Sequence, residues 1–186
     1  MKKLFAILLA VLCVSAFSQR KIESALGQTL GEKVLGARDE DQVDGLVRIT
    51  FEPTEKLRGF ENYLVLVTPK TRKVCFIRCS QTFSSKYDAL EKAEALRKIY
   101  ERFYGGKFEE DTFSSGETVF SLARAGRGLS ITVGGDGSKY EVTVSLIDSD
   151  LKKLADKEAQ ESAGSQTGDA DKSSHKIGPS FGQTLG

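Results

Sequence analysis

The period of this chain's apolar residues changes partway along, and that change limits what it can fold into. Tyr87, Leu90, Ala93, Leu96, Ile99, Tyr100 and Phe103 recur every third or fourth position, with Glu91, Lys92, Glu94, Arg97 and Lys98 between them. Such spacing places one apolar stripe along one side of a helix. Both ends of the run are marked. Ser84 and Ser85 are natural N-caps, Asp88 stands three residues beyond Ser85, and Gly105-Gly106 offers a left-handed stop. A helix over residues 85–104 is therefore predicted, its Tyr87–Phe103 stripe covering a core.

On both sides of this helix the period is two. Val47, Ile49 and Phe51 alternate with Arg48 and Thr50, and Pro53 ends that run. Residues 63–68 (YLVLVT) are apolar on both faces and read as a central strand covered twice. The turn Thr68-Pro69-Lys70-Thr71 leads into residues 74–80, which predicts a hairpin. After the helix, residues 117–125, 129–133 and 140–147 form three further strands joined by glycine turns. Leu129, Ile131 and Val133 are expected to share a layer with Tyr140, Val142, Val144 and Leu146. Glu141, Thr143 and Ser145 then look outward. The predicted order is βββ–α–βββ: an α+β fold with a mostly antiparallel sheet of about six strands and one long helix on one face. Asp148-Ser149-Asp150 starts a short second helix with Leu151, Leu154 and Ala155.

Residues 1–18, MKKLFAILLAVLCVSAFS, read as a signal peptide. Lys2 and Lys3 precede an apolar run, and Ala16 and Ser18 provide small residues for cleavage after either one. The run is short for a membrane span, and Leu12 stands where a lipidated cysteine usually has a small neighbour. An exported protein of bacterial style is expected, periplasmic or extracellular, with no stable membrane insertion after cleavage. Loss of two lysines and no acid moves the formal charge from +1 to about −1. A chain so near neutrality has no global field for nucleic acid.

The expected domain is residues 19–160, followed by a flexible linker at 161–180, where Ser, Gly, Asp and Gln dominate. Beyond the linker a pentapeptide returns: GQTLG at 27–31 recurs at 182–186, each time after a large apolar residue, Leu26 or Phe181. An offset of 155 residues suits a whole domain. Residues 181–186 are accordingly read as the start of a second, truncated copy, with a docking tag or chance recurrence as the other readings.

Candidate chemistry is sparse. The one histidine, His175, falls in the expected linker, where a general base could not be held still. No phosphate loop, nucleophile elbow or helical zinc motif is present. Arg124-Ala125-Gly126-Arg127-Gly128 reads as a hairpin turn, and Asp136 among glycines supplies too few oxygens for calcium. Acids at 39–44 read as solvated loop. Cys75 and Cys79, four apart on a strand, are expected on one core face about 13 Å from each other, too far to bridge. Neither cofactor nor metal is implied. What remains is a candidate partner-binding hairpin, Pro69, Lys70, Arg72 and Lys73, with Phe60 as an apolar neighbour. The function expected is a non-catalytic exported module that binds a protein or an envelope component through that hairpin or a sheet edge. A secreted hydrolase with a hidden Asp/Glu pair and a carrier with an apolar pocket are the alternatives.

Overall fold

The computed structural model describes residues 20–43 and 45–166. The expected signal peptide, most of the expected linker and the second GQTLG lie outside the described residues. A small hairpin, β1 (Ser24–Ala25) and β2 (Gln28–Thr29), comes first. Four strands follow: β3 (Ala37–Val43), β4 (Leu46–Phe51), β5 (Glu61–Val67) and β6 (Val74–Phe83). Then come helix α1 (Lys86–Tyr104), four more strands and helix α2 (Ser149–Gln166). The second set of strands is β7 (Glu109–Thr112), β8 (Thr118–Arg124), β9 (Arg127–Gly135) and β10 (Tyr140–Asp148).

The α+β architecture with a large antiparallel sheet is as expected, but the sheet has eight strands rather than about six. Two four-strand meanders meet at the β6–β10 pair, giving the order β3-β4-β5-β6-β10-β9-β8-β7. Both unanticipated strands of the large sheet are its edges. β3 (ARDEDQV) and β7 (EEDT) are almost wholly exposed and carry charge where alternation would be sought. Charged residues on an edge discourage pairing with other chains, so these strands hide from a periodicity search for the reason they are useful. The acids at 39–43 thus belong to an edge strand, not a loop.

Helix α1 begins and ends as its sequence requires. Ser85 Oγ accepts a hydrogen bond from the Asp88 amide at 3.4 Å, and Gly105 takes φ +68° while its N–H donates to the Glu101 carbonyl. The buried stripe is the predicted one in part. Ala89, Ala93, Leu96 and Tyr104 are buried and Leu90 and Tyr100 partly so, whereas Tyr87, Ile99 and Phe103 are 73%, 58% and 48% exposed. Ala89 and Ala93 are fully buried, while Ile99 and Phe103 stand at the flank, where the Arg20 guanidinium lies 4.3 Å from the Phe103 ring centre.

The core lies between α1 and the sheet, where Val65, Ile77, Ile131, Val142 and Leu146 are fully or almost fully buried. Opposite faces of β9 and β10 divide as expected, with Val142 facing Val133 and Val144 facing Ile131 across the ladder. A β-bulge where β6 meets β5 overturns the expected cysteine geometry. Leu66 pairs with Phe76 but Val67 with Val74, which leaves Cys75 as the extra residue. Cys79 remains in the α1-side core, while Cys75 joins Leu46 and Ala155 on the α2 side. Both thiols are free and buried, and burial pushes Cys75 to about 11 and Cys79 to about 12.

The short helix expected after Asp148 instead runs to Gln166, past the predicted domain end at 160. It crosses the sheet on the face opposite α1, packing on β6, β10 and β4. The Asp148 carboxylate caps its start by accepting from the Asp150 and Leu151 amides.

The first GQTLG builds the hairpin that straps the domain's N-terminal residues down. Leu26 and Gly27 both take positive φ, +60° and +79°, which makes a two-residue turn of the type that matches strand twist. A Cβ at residue 27 would run into the Thr54 hydroxyl, so glycine is required there. Gln28 is buried and uses its whole amide on Leu35, donating to the carbonyl at 2.8 Å and accepting from the N–H at 3.1 Å. Leu30 fills the core, and the Gly31 N–H donates to the Val74 carbonyl at 2.8 Å.

Candidate functional site

The residues singled out in the sequence do not converge. Phe60 precedes β5, buried in the α1-side core with Lys92 Nζ 5.5 Å from its ring centre. The Pro69–Lys73 loop follows the other end of β5, about 20 Å away by strand rise. That loop is tied down by the chain itself. Glu158 of α2 accepts from the Lys70 amide at 2.7 Å, the Thr71 amide at 3.3 Å and the Thr71 hydroxyl at 3.1 Å. Lys70 Nζ donates to Glu161 at 2.7 Å, and Arg72 pairs with Glu40 on β3. A hairpin whose two leading cations already face carboxylates presents little unsatisfied charge to a partner.

The arginines of the β8–β9 turn are also engaged within the fold. Ala125 and Gly126 form its two positive-φ positions, as a hairpin demands. Arg124 donates to the Tyr104 carbonyl at 2.5 Å and the Gly105 carbonyl at 3.1 Å, placing a cation at the negative end of α1. Arg127 pairs with Asp148 at 3.0 Å and donates to the Ile22 carbonyl at 3.3 Å.

A more open surface lies on the sheet face opposite α1. Helix α2 covers only the end of that face around Leu66, Phe76 and Leu151, leaving a hollow of about 790 Å³ above β6, β10 and β9. Arg78, Thr132, Thr143 and Ser145 are among the residues that line it, and strand register aligns them with others of the same face in rows. One row runs through Arg78, Ser145, Ser130 and Ser121, and the next through Ser80, Thr143, Thr132 and Val119. Antiparallel pairs on one face stand about 5 Å apart, so Ser145, Ser130, Ser121, Thr143 and Thr132 form a polar floor, with Ser80 buried at one margin and Val119 apolar at the other. Hydroxyls donate or accept as a ligand requires.

Charge on this floor is balanced internally. Arg78 pairs with Glu141 at 3.5 Å and donates to the Thr143 hydroxyl at 3.5 Å. Asp136, at the rim, accepts from the Ser138 amide and hydroxyl and from the Lys139 amide, which holds its carboxyl down at about 2. Glycines at 134 and 135 keep the rim low, since a Cβ at 135 would press on Tyr140. Asp136 is thereby committed to partners that keep it ionised, which does not suit it to donate a proton at neutral pH.

Among the described residues no group of three or more histidine, cysteine or acidic side chains could hold a metal ion. Nor is any described helix long and apolar enough to cross a membrane. The outward residues Glu141, Thr143 and Ser145 were legible from β10 alone. Ser130 and Thr132 carry the same signal, a polar residue at every second position in LSITV, whereas Ser121 stands alone in VFSLA. Only pairing brings them beside β10. Compared with family models, curated proteins and solved structures, this chain matches none of them.

Proposed function

We propose that this is a non-catalytic exported module that binds a protein or an envelope component on the hydroxyl-lined sheet face, not through the 68–73 hairpin. The observation that carries the reading is the asymmetry of the sheet. One face is closed by α1 over a filled apolar core, whereas α2 covers only the end of the other. A floor of short polar side chains would let an extended chain approach the strands closely. The β7 edge carries Glu109, Glu110 and Asp111, whereas Glu40 and Asp41 on β3 are already paired with Arg72 and Arg48. A neutral to basic polar segment therefore fits better than an acidic one. The same charged edges discourage strand addition, which weighs against the sheet-edge mode. Export rests on the leader-like residues 1–18, which support an envelope or extracellular setting.

The test is comparative capture from envelope extract by the full mature chain. Thr143→Arg and Ser130→Arg fill the floor with long cations, so they are expected to abolish capture of a partner that Arg72→Ala still retains. Equal capture by all four proteins would exclude the face as the binding surface.

A further inference from the structure

The repeated pentapeptide is part of a longer likeness that becomes visible once the N-terminal strap is seen folded. Residues 20–31 read RKIESALGQTLG and residues 175–186 read HKIGPSFGQTLG. Within the strap Ile22, Leu26, Gln28 and Leu30 are buried. Their counterparts are Ile177, Phe181, Gln183 and Leu185, three of them identical and the fourth still large and apolar. Both positive-φ glycines, 27 and 31, recur as Gly182 and Gly186. Loss of likeness between the Lys-Ile pair and the turn is confined to Glu23, Ser24 and Ala25, which are exposed or half-exposed. Even the proline is placed without penalty. The two-residue turn and the Leu30-to-Glu23 hydrogen bond make 23/30 a bonded pair and 24/29 a non-bonded one. The Ser24 N–H thus points out of the ladder, and Pro179 at that position removes no bond.

We propose that residues 175–186 bind the seat occupied by residues 20–31, and that the seat they enter belongs to a second copy of this chain. The seat consists of the Leu35 backbone that Gln28 satisfies, the Val74 carbonyl and the core pockets of Ile22, Leu26 and Leu30. A neighbour is favoured over the same chain because α2 ends far from its own seat. Leu151, in the first turn of α2, lies beside Gly31. The helix end at Gln166 is about 22 Å farther along its axis. Residues 167–174 bridge nine steps, at most about 31 Å, so they would have to run back along the whole helix in extended form. A neighbour's seat imposes no such constraint. The resident strap is continuous with β3 and competes at an effective concentration of order millimolar, so the exchange responds to anything that loosens residues 20–31.

The experiment titrates a labelled peptide of residues 175–186 onto the full chain and onto its Gln28→Ala variant, which loses only the two bonds to Leu35. Saturable binding is expected to both, about tenfold tighter to the variant. A Gln183→Ala peptide is expected to bind about tenfold more weakly, because it leaves the Leu35 groups unpaired. A folded Gln28→Ala chain that shows no saturable binding overturns the proposal, as does a Gln183→Ala peptide that binds equally well. Should Gln28→Ala not fold, hydrogen exchange on the unaltered chain decides. Protection at residues 183–186 that rises with protein concentration supports exchange between copies. Protection that is absent, or independent of concentration, overturns it.

Discussion

The two faces of the central strands are built from the same backbone and serve opposite ends. Toward α1, β9 presents Leu129, Ile131 and Val133, all but inaccessible, and β10 presents Val142, Val144 and Leu146. Toward the other side the same strands present Ser130, Thr132, Thr143 and Ser145, all partly exposed. One residue of offset therefore separates a packed interior from an open polar floor. The contrast teaches that coverage decides the role of a face: α1 lies across β9, β10 and β6, whereas α2 crosses only the strand ends.

The comparison breaks first if truncation is equally costly on both faces. Ile131→Ala is expected to lose about 2–5 kcal/mol in urea unfolding, through lost transfer energy and the cavity left behind. Ser130→Ala, its neighbour in sequence, is expected to stay within about 0.5 kcal/mol. Similar losses for the two would mean that the polar floor is structural.

The partial cover is next. Glu158 is buried and accepts three hydrogen bonds from the 70–71 segment. Glu158→Ala is expected to cost about 1–3 kcal/mol by leaving those donors without it, and to raise amide exchange in residues 69–73 before elsewhere. An unchanged exchange pattern would mean that α2 does not hold the hairpin.

The smallest effect concerns the thiols, one on each side of the sheet. Both have folded values raised by burial, Cys75 to about 11 and Cys79 to about 12, from an ordinary value near 9. Above pH 9 the unfolded chain sheds these protons while the folded one keeps them. The associated stability is thus complete below pH 9 and is lost as pH rises toward 11–12. The melting temperature is expected to fall across that window, and less steeply in Cys79→Ala, the variant that removes the more displaced group. Neither thiol of the folded protein is expected to react with a thiol reagent at pH 8 except on unfolding. Rapid labelling of Cys75 alone would show α2 to be a loose cover.

Much of the fold could be read directly. Ser85 and Gly105 bound helix α1, the turn residues mark the hairpins at 68–73 and 125–126, and alternation divides β9 and β10 into inner and outer faces. Three kinds of feature escaped. Edge strands β3 and β7 carry charge instead of alternation. The bulge at Cys75 depends on the register of two strands, which neither strand specifies alone. The α1 stripe differs because Ala89, too small to count as a core residue by hydrophobicity, is fully buried while Tyr87 is exposed.

The candidate site divides the same way. Each of its hydroxyl residues was visible as the polar half of an alternating strand. Their assembly into one floor came from the β6–β10 pairing, which joins residues far apart along the chain. Local period and capping determined the elements of this protein, because side-chain direction follows from backbone geometry within a few residues. Tertiary structure alone decided which polar face stayed open and which charged loop was tied down, because both depend on where α2 comes to lie.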